Sequence, residues 1–174
     1  QLFVEKGVKL NNNYVALNKL KVNELYRDKK YAAAIPFLLK LDTIIKNDNY
    51  TTSMLGKTYY NLDSLEKADK YFKKLFFIDR ENFKSFTYRG HIAVKQKKFK
   101  TAEMQYRMAT FIGKERRDEE YYGLATVYYE LKNQKQAIFY FDKASIENRN
   151  NYKALYQLAK LSDDYYKDKS IAYK

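Results

Sequence analysis

The chain has 174 residues and a net charge of +13, and its charged 32% are spread along the whole length, which argues against disorder. Five Gly and one Pro are too little turn chemistry for many short strands, so the chain reads as mostly helical. Without cysteine it has no disulfide, thiolate metal site or cysteine nucleophile, and no run of about 18 apolar residues spans a membrane.

Five alanines, Ala34, Ala68, Ala102, Ala137 and Ala172, recur at separations of 34, 34, 35 and 35 residues. On that frame, residues 1–13 with LFVEKGVKLNNN read as the second helix of a preceding repeat and its turn. Residues 14–48 form the first whole repeat. Its first helix is irregular, since Asn18 and Lys21 fall at normally apolar positions and leave room for a one-residue slip. Pro36 falls early in its second helix, where an absent N–H costs little. Residues 49–82, 83–117 and 118–151 are three further repeats, and 152–174 hold a first helix and the start of a second. The chain begins at Gln1, and the array is expected to continue beyond at least one end.

The flanks of the alanines repeat as well. Four residues on come Leu38, Phe72, Tyr106 and Phe141; seven on come Leu41, Leu75, Ala109 and Ala144. Nine before come Leu25, Tyr59, Ala93 and Tyr128, and twelve before come Val22, Gly56, Gly90 and Ala125. Such spacings of three and four place bulky and small residues on one side of a helix. Gly56, Gly90 and Ala125 are expected to meet Ala68, Ala102 and Ala137 where two helices cross, and a bulky residue there would cost about 1–3 kcal/mol. The turns KNDN, DREN and ENRNN are expected to stop helices through asparagine in the left-handed region.

The stretches MLGKTYYNLDSLEKADKYFKKLFFIDREN and TYRGHIAVKQKKFKTAEMQYRMATFIGKE carry L-G-x-x-Y in the first helix and A-x-x-x-F/Y-x-x-A/L in the second, and YYELKNQKQAIFYFDKASIENRNN is similar. These resemble tetratricopeptide repeats over essentially the whole chain. The resemblance implies an all-α fold in which 1–174 form a single domain, a right-handed superhelical solenoid of antiparallel helix pairs with about five repeats, partial at both ends. It also implies ligand binding in a concave groove lined by first helices.

The side turned about 100° from the core positions of the first helices gives the expected groove face. It comprises Lys19, Asn23 and Tyr26; Lys57 and Tyr60 with Ser53; His91 with Thr87 and Val94, Lys95 beside them; Tyr122 and Tyr129 with Thr126; and Tyr156 and Lys160 with Asp163. Tyrosine offers rigid area with a polar tip and lysine steers acidic partners, so the expected partner is a protein or peptide of acidic or aromatic character. Lys19, Asn23 and Lys84 also match a carboxylate-clamp pattern of one subfamily, but Met54 and Tyr88 break it, and no receptor of that type is expected.

The expected role is a non-enzymatic protein–protein interaction scaffold or adaptor. One alternative is the regulatory or sensory portion of a larger signalling or secretion protein. Another is an RNA-binding helical repeat, which the charge favours; the chain's seven arginines against its many lysines argue against nucleic acid. LGKT at Leu55 to Thr58 lacks the glycine a phosphate loop needs at Thr51, and HIAVK at His91 to Lys95 has no kinase signatures around it. His91 is the only histidine, so no histidine-pair metal site is expected, and the carboxylate pairs Asp163–Asp164 and Glu119–Glu120 are expected at helix ends and surfaces, so no catalytic or cofactor site is expected either. The Lys-, Asn- and Tyr-rich composition points to an AT-rich bacterial genome and an envelope-associated protein.

Overall fold

Residues at spacings of three and four fold into nine helices in the computed structural model, which describes residues 15–113 and 116–166; no strand occurs among them. The helices are α1 (Val15–Arg27), α2 (Tyr31–Ile44), α3 (Asn49–Asn61), α4 (Leu65–Ile78), α5 (Phe83–Lys95), α6 (Phe99–Ile112), α7 (Asp118–Glu130), α8 (Gln134–Glu147) and α9 (Tyr152–Tyr165). Contacts divide the chain into two units. Unit 1, Gln1–Arg80, holds α1 to α4, and unit 2, Glu81–Lys174, holds α5 to α9. Residues 1–13, and 167–174 with Ala172, lie outside the described residues.

Within each unit, consecutive helices pack on one another, and α5 also touches α7. Each unit is thus a stack of helix hairpins, the all-α helical-repeat solenoid architecture. None of the described helices is long and apolar enough to cross a membrane.

Four short turns, α1–α2, α3–α4, α5–α6 and α7–α8, are closed by one device. Lys98 N–H donates to the Ala93 carbonyl at 2.8 Å and Lys97 N–H to the Val94 carbonyl at 2.9 Å, and the same pair of bonds recurs at Lys30 and Lys29, Ser64 and Asp63, and Asn133 and Lys132. This is the Schellman closure, whose penultimate residue must be left-handed. Here that residue is Lys29, Asp63, Lys97 or Lys132, with φ between 55° and 60°. Among the asparagines of the three polar turns only Asn47 is left-handed, φ 59°, and it follows Ile45 (φ −120°), through whose extended backbone α2 has already ended. In DREN and ENRNN the chain leaves through extended backbone at Asp79 (φ −137°) and Asn148 (φ −144°), which end the helices without any left-handed residue.

The register rows are the core. In unit 1, Ala34, Leu38, Leu41, Ala68, Phe72 and Leu75 are buried, joined by Leu55 and Tyr59. In unit 2, Ala102, Tyr106, Ala109, Ala137, Phe141 and Ala144 are buried. Each fully buried large side chain contributes about 1.5–3 kcal/mol. Helix α1 buries Asn18, Val22 and Leu25, at the register where α3 buries Thr52, Gly56 and Tyr59. Lys21 lies beside this row, its ammonium 3.2 Å from Glu24.

At the crossings the neighbours differ from those expected. A Cβ at Gly56 would stand 2.9 Å from the Phe72 ring, and one at Gly90 would stand 2.6 Å from the Tyr106 ring. The alanine four residues earlier is not the nearest neighbour; the aromatic side chain lies across the glycine. Tyr106 is confined from both sides, because a Cβ at Gly123 of α7 would also collide with its ring. Helix α6 thus pushes one ring between two bare stretches of backbone.

Gly123→Ala should therefore destabilise unit 2 by about 1–3 kcal/mol, since a ring held between two helices cannot swing aside. Urea unfolding followed by circular dichroism measures this, and the penalty should largely vanish in a Tyr106→Ala background.

Candidate functional site

In unit 1, the expected face residues tie α1 to α3. The Tyr50 hydroxyl donates to Asn23 Oδ1 at 2.6 Å, and Lys19 Nζ sits 4.8 Å above the Tyr50 ring and 3.4 Å from Asp48. Asn61 Nδ2 donates to the Tyr26 hydroxyl at 2.8 Å, and the Tyr26 ring meets Tyr31 edge-on at 5.0 Å. Burial, then the Asp48 charge, pushes the Tyr50 phenol up to about 12, and burial also raises Tyr26. Burial would raise Asp48 too, but hydrogen bonds from Thr51 and the Lys19 charge outweigh it and leave its pKa below the ordinary value. Asp48 caps α3 through the Thr51 N–H at 2.9 Å. Lys57 and Tyr60 are half-buried on α3.

In unit 2, the corresponding link joins α5 to α7 and is ionic. His91 Nδ1 lies 2.7 Å from the Tyr106 hydroxyl and Nε2 lies 3.0 Å from Glu119 Oε1. Lys84 Nζ donates to Glu119 Oε2 at 2.8 Å. The His91 bond, then Lys84, outweighs burial and holds the Glu119 pKa at about 2. An ionised carboxylate only accepts, so His91 Nε2 carries a proton, and in the neutral ring Nδ1 accepts from Tyr106. Beside it the fully buried Glu120 accepts from Thr87 at 2.6 Å, with Lys84 at 3.8 Å. Thr87, expected on the open face, is buried because its hydroxyl is spent on Glu120.

An open cavity of about 530 Å³ adjoins this link, lined by Lys84, Arg116, Asp118, Glu119, Tyr122, Asn151 and Lys153. Of the eleven expected site residues, only Tyr122 lines it; its ring meets Phe141 edge-on at 5.4 Å. His91 stands one bond behind, through Glu119. Tyr129, Tyr156, Lys95 and Lys160 are exposed elsewhere on α5, α7 and α9, with Lys132 5.9 Å from the Tyr129 ring. Reading helix faces misses Arg116, Asp118, Asn151 and Lys153, because they stand at helix starts and turns. Asp118 accepts from Asn148 at 2.8 Å and Asn151 at 3.3 Å and pairs with Arg116 at 3.2 Å. The only signal for them in the sequence is the polar turn itself.

Chemically this is a surface of fixed charges and a phenol. Glu119 is ionised across the neutral range and already hydrogen-bonded, so it acts as an anchored anion and not as a proton donor. No group of three or more histidine or carboxylate side chains is placed to hold a metal among the described residues.

The tetratricopeptide-repeat family model matches residues 53–82 and 121–145. No curated protein matches the chain in sequence. Among solved structures of similar fold is MamA (residue 41 to the end) from Desulfovibrio magneticus, 19% identical over 91% of this chain and 89% of that one, with a TM-score of 0.76. YrrB, a tetratricopeptide-repeat protein with an unusual peptide-binding site, is 17% identical over 90% and 80%, TM-score 0.73. PilF of Pseudomonas aeruginosa is 20% identical over 86% and 68%, TM-score 0.76.

The depressed Glu119 pKa sets a pH dependence. Its ionised form is favoured by folding, so its contribution is complete above about 4.5 and is lost as pH falls towards about 2. Urea titrations should show wild type more stable than Glu119→Gln above pH 5, the gap closing as pH approaches 2. A gap independent of pH would refute the ionic link.

Proposed function

We propose that this chain, which the tetratricopeptide-repeat model matches over residues 53–82 and 121–145, works as a non-enzymatic scaffold holding a protein or peptide partner against the face of its first helices. The observation carrying this reading is the cavity of about 530 Å³ in unit 2, with Tyr122 beside Lys84, Arg116 and Lys153. It is open and lined by polar groups, which suits an extended segment that brings its own backbone hydrogen bonds better than an enclosed small molecule.

The partner we favour is an extended peptide with acidic and aromatic side chains. An acidic side chain would meet the ammonium of Lys153, and an aromatic one would stack on Tyr122. His91, Lys95, Tyr129, Tyr156 and Lys160 would extend contact along α5, α7 and α9. Lys19, Asn23, Tyr26, Lys57 and Tyr60 would serve the same end on unit 1. The peptide-binding site of YrrB, a protein of similar fold, supports a peptide in preference to a folded domain.

Calorimetric titration of synthetic ten-residue peptides tests this directly. A peptide alternating Glu and Phe should bind in the micromolar range, and one with Gln and Ala in their place should bind far more weakly. Tyr122→Ala combined with Lys153→Glu should weaken the acidic peptide about tenfold or more, as for a central contact pair. Equal binding of both peptides, or a variant as good as wild type, would remove the reading.

A further inference from the structure

Helix α6 is apolar on two opposite sides. One side is the buried row of Ala102, Tyr106 and Ala109. The other carries Met104 (55% exposed), Met108 (39%) and Phe111 (85%), spaced four and three residues apart and so forming one stripe. Lys100 stands one turn before Met104 on that side.

Helix α8 repeats the arrangement. Phe139 (47% exposed) and Ile146 (69%) occupy the register positions of Met104 and Phe111, two and nine residues after the register alanine. Lys135 stands where Lys100 does, and Lys143 Nζ lies 4.8 Å from the Phe139 ring. Isolated exposed apolar residues need no account, but a stripe repeated on two helices of one unit does.

The charges indicate what covers it. On this side the carboxylates are Glu103, Asp142 and, at the end of α8 beside Ile146, Glu147. Glu103 accepts from Tyr128 at 2.6 Å and Arg107 at 2.9 Å, bonds that hold its pKa below the ordinary value. Lys100, Lys135 and Lys143 flank the apolar side chains, within a chain of net charge +13. Met104, Phe111 and Phe139 are highly exposed, and Ile146, though it borders a shallow open groove with Arg149 and Leu155, is itself 69% exposed, whereas a partner helix is usually held deep in a groove. A lipid interface takes such side chains singly, apolar tips entering the acyl boundary while lysines stay among headgroups.

We propose that the outward sides of α6 and α8 bind an anionic lipid interface, with Phe111 and Ile146 inserting and Lys100, Lys135 and Lys143 contacting the headgroups. This surface is distinct from the Tyr122 cavity and does not depend on what that cavity holds.

The test is co-sedimentation of the 174-residue chain with vesicles of phosphatidylglycerol and phosphatidylcholine, against pure phosphatidylcholine, at low and high salt. The chain should partition about tenfold or more better onto the anionic vesicles, and salt should weaken this. Phe111→Ser with Ile146→Ser should lower binding about tenfold while circular dichroism and urea unfolding stay as in wild type, both side chains being exposed. Lys100→Glu with Lys135→Glu should abolish the preference for anionic lipid, and Tyr122→Ala should leave it unchanged. Failure to sediment with anionic vesicles, or undiminished binding by the serine variant, would overturn the proposal. Stripe-dependent capture of an acidic amphipathic peptide in solution, with no vesicle binding, would overturn it in favour of a protein partner.

Discussion

The approach of an aromatic ring to backbone that carries no side chain is the constraint on which unit 2 depends. Tyr106 belongs to α6 but reaches between Gly90 of α5 and Gly123 of α7, so one ring sets the spacing of three helices. Its hydroxyl then meets His91, which bonds Glu119 of α7. Packing and charge are therefore coupled: if the ring moved, the imidazole that supports the Glu119 carboxylate would lose the hydroxyl that helps orient it. Phe72 over Gly56 plays the packing half of that role in unit 1, without a polar tip to extend it.

The two units join their first helices by different chemistry at comparable places. Beside the Lys19–Asp48 ion pair, unit 1 uses Tyr50 and Tyr26, whose phenols stay protonated because burial raises their pKa. A neutral phenol donates or accepts with little desolvation cost, and salt hardly affects it. Unit 2 uses Lys84, His91, Glu119 and the buried Glu120, where each charge needs its partners to remain tolerable.

The repeat is legible in the sequence because its signal is spread over many positions. Alanine, bulky residue and alanine or leucine at offsets of zero, four and seven recur four times within the described residues, and every such position is buried. The nearest neighbour of each glycine is not legible, because spacing states which residues share a side but not how far a ring reaches along it. The turns depart from expectation for a related reason. Asparagine tolerates left-handed angles, yet Lys29, Lys97 and Lys132 adopt them, since the Schellman bonds fix that conformation whatever the side chain. The candidate site is the least legible part. Helix faces reveal Tyr122 but pass over Arg116, Asp118, Asn151 and Lys153, which a periodicity of 3.6 cannot reach because they precede or begin helices.

That division has a functional consequence. Lys19, Asn23, Tyr26 and His91 are the residues a helix-face reading offers to a ligand, but their polar groups already hold neighbouring helices together. A ligand that took those bonds would have to replace them, and its net gain would be small. Lys84 is a sharper case: drawing it towards an incoming acid would leave Glu119 and the buried Glu120 without their cation. Affinity on the proposed reading must therefore come from groups at the cavity rim that the fold uses less, chiefly Tyr122 and Lys153. An acidic segment would then be selected by steering and by Lys153, while the Lys84 ion pairs keep the floor beneath it rigid and so reduce the ordering cost of binding.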